Sequence, residues 1–241
     1  MAKEKKDALA TTETPAVPAF LEKYVGKGTE HFQKDDLQIP RLALAQGLSP
    51  QLNPEQPEYI KGLVIGSGFN NATNEIYDRG PWDIAIVKAD RPRWVEFIPR
   101  EQGGGIKDPN VPYDDPRTQW GANGEKPIAT KFYDYIIVFL DTKETIAISL
   151  SRTGIKVAKK LNTMIYKRGP LPLFMGKYSA RSVMVKGKKG DYATFAFVND
   201  GFIEDEEMLK FLAEQFDTFK NKEVVIDREP GDDTGEDDEE V

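Results

Sequence analysis

Eleven basic side chains and not one acid occupy the stretch from Thr145 to Gly190. They are Arg152, Lys156, Lys159, Lys160, Lys167, Arg168, Lys177, Arg181, Lys186, Lys188 and Lys189, with Tyr166, Phe174 and Tyr178 set among them. The chain as a whole carries −7, so this stretch reverses the sign locally. Lysine and arginine neutralise phosphates and release their counterions, while aromatic faces stack on unpaired bases. The pattern therefore suits a nucleic-acid strand. Lys156, Lys159, Lys160, Lys167 and Arg168 would line the backbone track, and Lys177, Arg181, Lys188 and Lys189 would extend it. Arg93 and Arg100 add charge from outside the stretch, and Tyr166, Tyr178 and Trp94 are the stacking candidates. The competing reading is a solvated basic face whose aromatics turn into the core.

Catalysis lacks its usual parts. There is no cysteine, and the one histidine, His31, stands in polar sequence. Asp114, Asp115 and Asp134 show neither metal-ligand spacing nor a nucleophile–base pair, so no enzyme, metal or cofactor is expected. Gly103-Gly104-Gly105 lacks the GxxxxGK[ST] spacing of a phosphate loop and reads as a flexible turn, with a flap over a ligand as the alternative. No apolar run approaches the roughly 20 residues that span a bilayer, and no signal-peptide core begins the chain, so a soluble intracellular protein is expected.

The charge is unevenly placed. Asp227–Val241 holds nine acids against Arg228 alone, a net of −8, which leaves +1 for Met1–Ile226. The sequence pI of 5.0 therefore hides a mildly basic body. Residues 1–36 read as a disordered arm, 37–226 as one β-rich nucleic-acid-binding domain, and 227–241 as a disordered acidic tail. Tethered to a basic body, such a tail competes with nucleic acid at high effective concentration and recruits partners once displaced. Simple solubilisation is the alternative.

The elements that must position these residues can be taken from periodicity. Asp36–Leu44 reads as an edge strand interrupted by Pro40. Gly62–Ile65 reads as a short strand and Phe69–Tyr77 as a hairpin. Trp82–Val87 alternates with Trp82, Ile84 and Ile86 on one face, and Arg93–Ile98 follows as a further strand. Pro99–Ile128 reads as a long loop, functional or mobile. Lys131–Leu140 and Thr145–Ser151 form the clearest hairpin. Thr153–Tyr166 reads as a helix with Ile155, Ala158, Leu161 (or Asn162) and Ile165 on one stripe and its lysines toward the other faces, stopped by Gly169-Pro170. Lys177–Lys186 and Tyr192–Val198 are strands around a Gly-Lys-Lys-Gly tip, and Glu204–Phe219 is an amphipathic helix. The fold class is α+β and β-rich: a twisted antiparallel sheet, or a partly open oligonucleotide-binding-like barrel, with two or three flanking helices.

This layout resembles phage single-stranded DNA-binding proteins. Asp36-Leu37-Gln38-Ile39-Pro40-Arg41-Leu42, and Trp94-Val95-Glu96-Phe97 with Arg100-Glu101-Gln102-Gly103-Gly104-Gly105, are similar to motifs in small proteins of phage replication modules, above all the Drc type, a ssDNA-binding RNA polymerase cofactor. The resemblance implies sequence-nonspecific binding of single-stranded DNA in phage replication or transcription, in the cytoplasm of the infected host. It also implies contacts of the tail with phage RNA polymerase or replication proteins. Acidic tails in several such families end on an aromatic residue, whereas this chain ends on Val241. The alternative is a structural or adaptor protein docking on RNA polymerase or virion components without touching DNA. No membrane partner is expected, and homo-oligomerisation is compatible with the sequence without being specified by it.

Overall fold

A computed structural model describes residues 39–187 and 190–220. The N-terminal arm, His31, the first residues of the Asp36–Leu44 segment, the Lys188-Lys189 tip and the acidic tail lie outside the described residues. In chain order the strands are β1 (Leu42–Leu44), β2 (Gly68–Asn70), β3 (Ile76–Tyr77), β4 (Trp82–Ala89), β5 (Arg93–Phe97), β6 (Ile106–Asp108), β7 (Thr130–Phe139) and β8 (Thr145–Ser151). Helix α1 (Gly154–Tyr166), β9 (Gly176–Gly187), β10 (Gly190–Phe202) and helix α2 (Glu206–Phe219) follow.

The strands form a seven-stranded antiparallel sheet and a three-stranded one, β1-β2-β3, and neither closes into a barrel. In the larger sheet β10, β9, β4 and β7 are successive neighbours, β5 continues along β7 and carries β6, and β8 takes the far edge of β7. β7 is the axis because its apolar run can be buried on both sides. Tyr133, Tyr135, Ile137 and Phe139 face one core with Ile84, Ile86, Tyr178 and Phe195. Ile136 and Val138 face the other with Ala85, Val87 and Leu212.

The two helices cover opposite faces. From α1, Ala158 and Leu161 enter the first core with Ile155 and Ile165 packed against it, and Tyr135 Oη donates to Asn162 Oδ1 at 2.8 Å. From α2, Leu212 is fully buried in the second core. Burying such a side chain is worth about 1.5–3 kcal/mol, so each helix is held mainly by its apolar stripe. The Asp205 carboxylate caps α2 by accepting from Glu207 N and Met208 N, and Glu206 and Glu207 suit the positive end of its dipole.

The small sheet is tied to both edges of the large one. Ala147 N on β8 donates to Pro40 O at 2.8 Å. At β10 the Gln46 carboxamide acts as a one-residue strand: Nε2 donates to Ala193 O and Oε1 accepts from Ala193 N, both at 2.9 Å. Tyr77 Oη donates to Glu144 at 2.6 Å, and burial followed by that bond pushes the phenol's pKa up.

Two expectations need correction. Gly62–Ile65 is not a strand; the chain turns there, and the strand starts at Gly68. Residues 99–128 are not structureless either. Ile106 and Asp108 pair with Phe97 and Glu96. Arg117, in a 3-10 turn at Pro116–Thr118, reaches Glu96 at 2.5 Å, Asp108 at 3.1 Å and Asp115 at 2.7 Å. Lys107 completes the cluster on Glu96 at 2.6 Å. Gly103, Gly104 and Gly105 all have positive φ and form the tight reversal into β6, closed by Ile98 N donating to Gly105 O at 2.8 Å.

Candidate nucleic-acid interface

With Ala158, Leu161 and Ile165 turned to the sheet, the helical repeat sends Lys156, Lys160 and Lys167 along one outward stripe, with Lys159 beside it. All four are exposed, and α1 contains no acid. Like charges at i, i+4 oppose helix formation by about 0.2–0.5 kcal/mol per pair, so Lys156 and Lys160 work against the helix they decorate. A bound polyanion would turn that repulsion into attraction.

The stripe ends at a cleft. Tyr166 is 86% exposed. Arg168 folds back beneath it, its guanidinium 4.2 Å above the Tyr178 ring and 5.0 Å from the Phe202 ring. Nη2 donates to Lys177 O at 2.8 Å and to Asn199 Oδ1, while Nε and Nη1, both buried, have no hydrogen-bond partner among the described residues. Burial lowers the pKa of the guanidinium. Tyr178 itself is 0% exposed, so it is no stacking platform but the floor on which Arg168 rests.

Other sequence candidates separate from this surface. Lys177 bridges Asp83 and Asp200, each at 2.8 Å, and these carboxylates raise its pKa. Its charge is neutralised locally. Arg181 is exposed, but it alternates with Tyr178, Ala180 and Ser182, so it points to the opposite side of the sheet from α1. The basic stretch is therefore split between two faces rather than forming one track. Arg93 is held by Asp134 through a 2.6 Å ion pair. Arg100 opens a 3-10 turn, and its side chain, like Lys188 and Lys189, lies outside what the structure describes.

Trp94 is half-buried, and Lys131 Nζ stands 5.6 Å from its ring and 5.4 Å from that of Tyr133. Trp94 and Lys131 are directly paired across β5 and β7, and alternation puts them on the α1 side with Tyr133. Sequence reading missed Lys131 and Phe202; the first was visible as the residue two before Tyr133 on a strict period of two, whereas nothing local marked the second. Among the described residues, no three His, Asp or Glu side chains are gathered so as to hold a metal ion, and no helix is long and apolar enough to cross a membrane.

No match was found among the curated proteins, and none among the solved structures. A family model described as "Pam3 phage gp34-like protein" matches residues 9–225, which takes in every described element. The chain belongs to this family of phage proteins.

Proposed function

We propose that the protein binds single-stranded DNA without sequence preference, through the exposed lysine face of α1, within a phage replication or transcription system. The observation that carries this reading is the stripe of Lys156, Lys160 and Lys167 with Lys159 at its side, free of acids and leading to the exposed Tyr166 ring. Lysines make point contacts to phosphates and read no base edges, which accounts for the absence of sequence preference. The helix offers few Asn, Gln or Arg side chains to a groove. The acidic segment Asp227–Val241 competes for the same face and is released when DNA binds. The likeness of the sequence to Drc-type phage cofactors supports the same reading, as does membership of a phage family.

The test is fluorescence anisotropy with a labelled oligothymidylate of 30 nucleotides or so. With about four phosphate contacts, the slope of log K against log salt should be near −3. Exchanging Lys156, Lys160 and Lys167 for Gln together should flatten that slope by about two. A triple variant that kept the wild-type slope would place the strand elsewhere. A wild-type chain that bound no oligonucleotide at low salt would leave the adaptor role, docking on RNA polymerase or virion components.

A further inference from the structure

The cleft at the end of α1 has a composition that the lysine stripe alone does not explain. It encloses about 570 Å³, within the usual size of a small-ligand site. Its walls are Ile165, Leu171, Pro172 and Phe202, its rim carries Tyr166 and Lys167, and Arg168 and Tyr178 form its floor. Two cations border it and, among the described residues, no acid does. Arg168 has no carboxylate partner among the described residues. Its two nitrogens without a hydrogen-bond acceptor, Nε and Nη1, are buried, so the guanidinium offers the cleft its charge rather than those two atoms. Three exposed apolar groups surround this charge: Tyr166, Leu171 at 46% and Phe202 at 46%.

From these features we infer that the cleft holds one unstacked nucleotide, its base against the Tyr166 face and its phosphate drawn by Lys167 and Arg168. A planar ring covers exposed aromatics, and an anion is attracted by the charges of Lys167 and of a guanidinium with no carboxylate partner among the described residues. The loop that shapes the pocket has a restricted backbone. Gly169 takes φ +78° to end the helix, Pro170 and Pro172 stiffen the return, and a 3-10 turn at Leu173–Met175 leads into β9. The inference rests on the strand-binding reading of α1 and adds a defined base site to it. The nucleotide comes either from a DNA strand or from the free pool, since both present the same base and phosphate.

The experiment compares the full chain with Tyr166→Ala and Tyr166→Phe, neither of which disturbs a buried group. Three probes are used: oligothymidylate, the same oligomer carrying 5-iodouracil for photocrosslinking, and thymidine 5′-monophosphate. Tyr166→Ala should weaken oligomer binding about tenfold with its salt slope unchanged, because stacking and not phosphate contact is lost, while Tyr166→Phe stays near wild type. The wild-type crosslink should map to Tyr166 or Phe202. Oligomer binding that is indifferent to Tyr166→Ala, with crosslinks elsewhere, overturns the cleft and leaves the lysine face standing. Monophosphate binding lost in Tyr166→Ala, in a chain that ignores the oligomer, upholds the cleft and overturns the strand reading. Failure of both probes to bind the wild type overturns both.

Discussion

Gly176 shows how one missing methyl group shapes the surface around it. Its φ of −77° is open to any residue, so the demand for glycine comes from space and not from the backbone. A Cβ there would overlap Nη1 and Cζ of Arg168 and come within 3.0 Å of the Tyr178 ring. The guanidinium can sit 4.2 Å from the centre of the Tyr178 ring only because position 176 is bare. Gly176→Ala should therefore lift Arg168 off its ring and break its bonds to Lys177 O and Asn199, destabilising the fold by about 1–2 kcal/mol. Urea unfolding measures this as a shift in midpoint at constant slope. In an Arg168→Ala background the same substitution should be nearly neutral, a coupling of about 1 kcal/mol between neighbours. Additive losses would mean that the Tyr178 ring, and not the guanidinium, excludes a side chain at position 176.

Elements, by contrast, hold together through partners far apart in sequence, and the segment between β5 and β7 is the clearest case. The hydrogen bond from Arg117 holds the Asp115 carboxyl at about 2, below its ordinary 3.8. Bonds from Lys107 and then Arg117 hold Glu96 below its usual range as well. A carboxyl with a depressed folded pKa adds stability that is complete above its unfolded value and is lost as pH falls through the folded one. Stability should thus decline between about pH 4 and pH 2, and Arg117→Gln should make that decline shallower. Urea melts followed by tryptophan fluorescence at stepped pH measure the difference, and equal acid slopes in the two proteins would contradict it. The same cluster marks where sequence reading stops. The β7–β8 hairpin and both helices were legible because each carries a complete period of its own, and the observed α1 begins within one residue of the expected helix. β6 has three residues and no pattern; only its pairing with Glu96 and Phe97 makes it a strand. Tyr178 was legible as one face of a strand, but periodicity cannot say which face a helix will cover, and α1 covered that one.

Across the whole described body, the sheet separates charge as well as cores. On one side α1 presents four lysines with Lys167 included as its cap and no acid; on the other, α2 carries Glu206, Glu207, Glu214 and Asp217 against Lys210. Lys177 and Arg181 fall on the α2 side, where Asp83 and Asp200 already balance Lys177. This division shortens the track that the basic stretch suggests, and it makes the remaining face easier to compete for. On the proposed reading, a tail of net −8 would be drawn to the α1 side rather than to the α2 side. The family match stops at residue 225, two residues before that acidic run begins. If the tail acts as the proposed competitor, deleting Asp227–Val241 should tighten oligonucleotide binding several-fold at about 50 mM salt, where the Debye length exceeds about 10 Å. The gain should vanish toward about 0.5 M as screening removes the intramolecular attraction. It should vanish equally in the triple Gln variant of Lys156, Lys160 and Lys167, whose face no longer attracts either polyanion. A deletion that leaves affinity unchanged at every salt concentration would assign the tail to solubility. A gain that persists in the triple variant would mean that the tail blocks some surface other than α1.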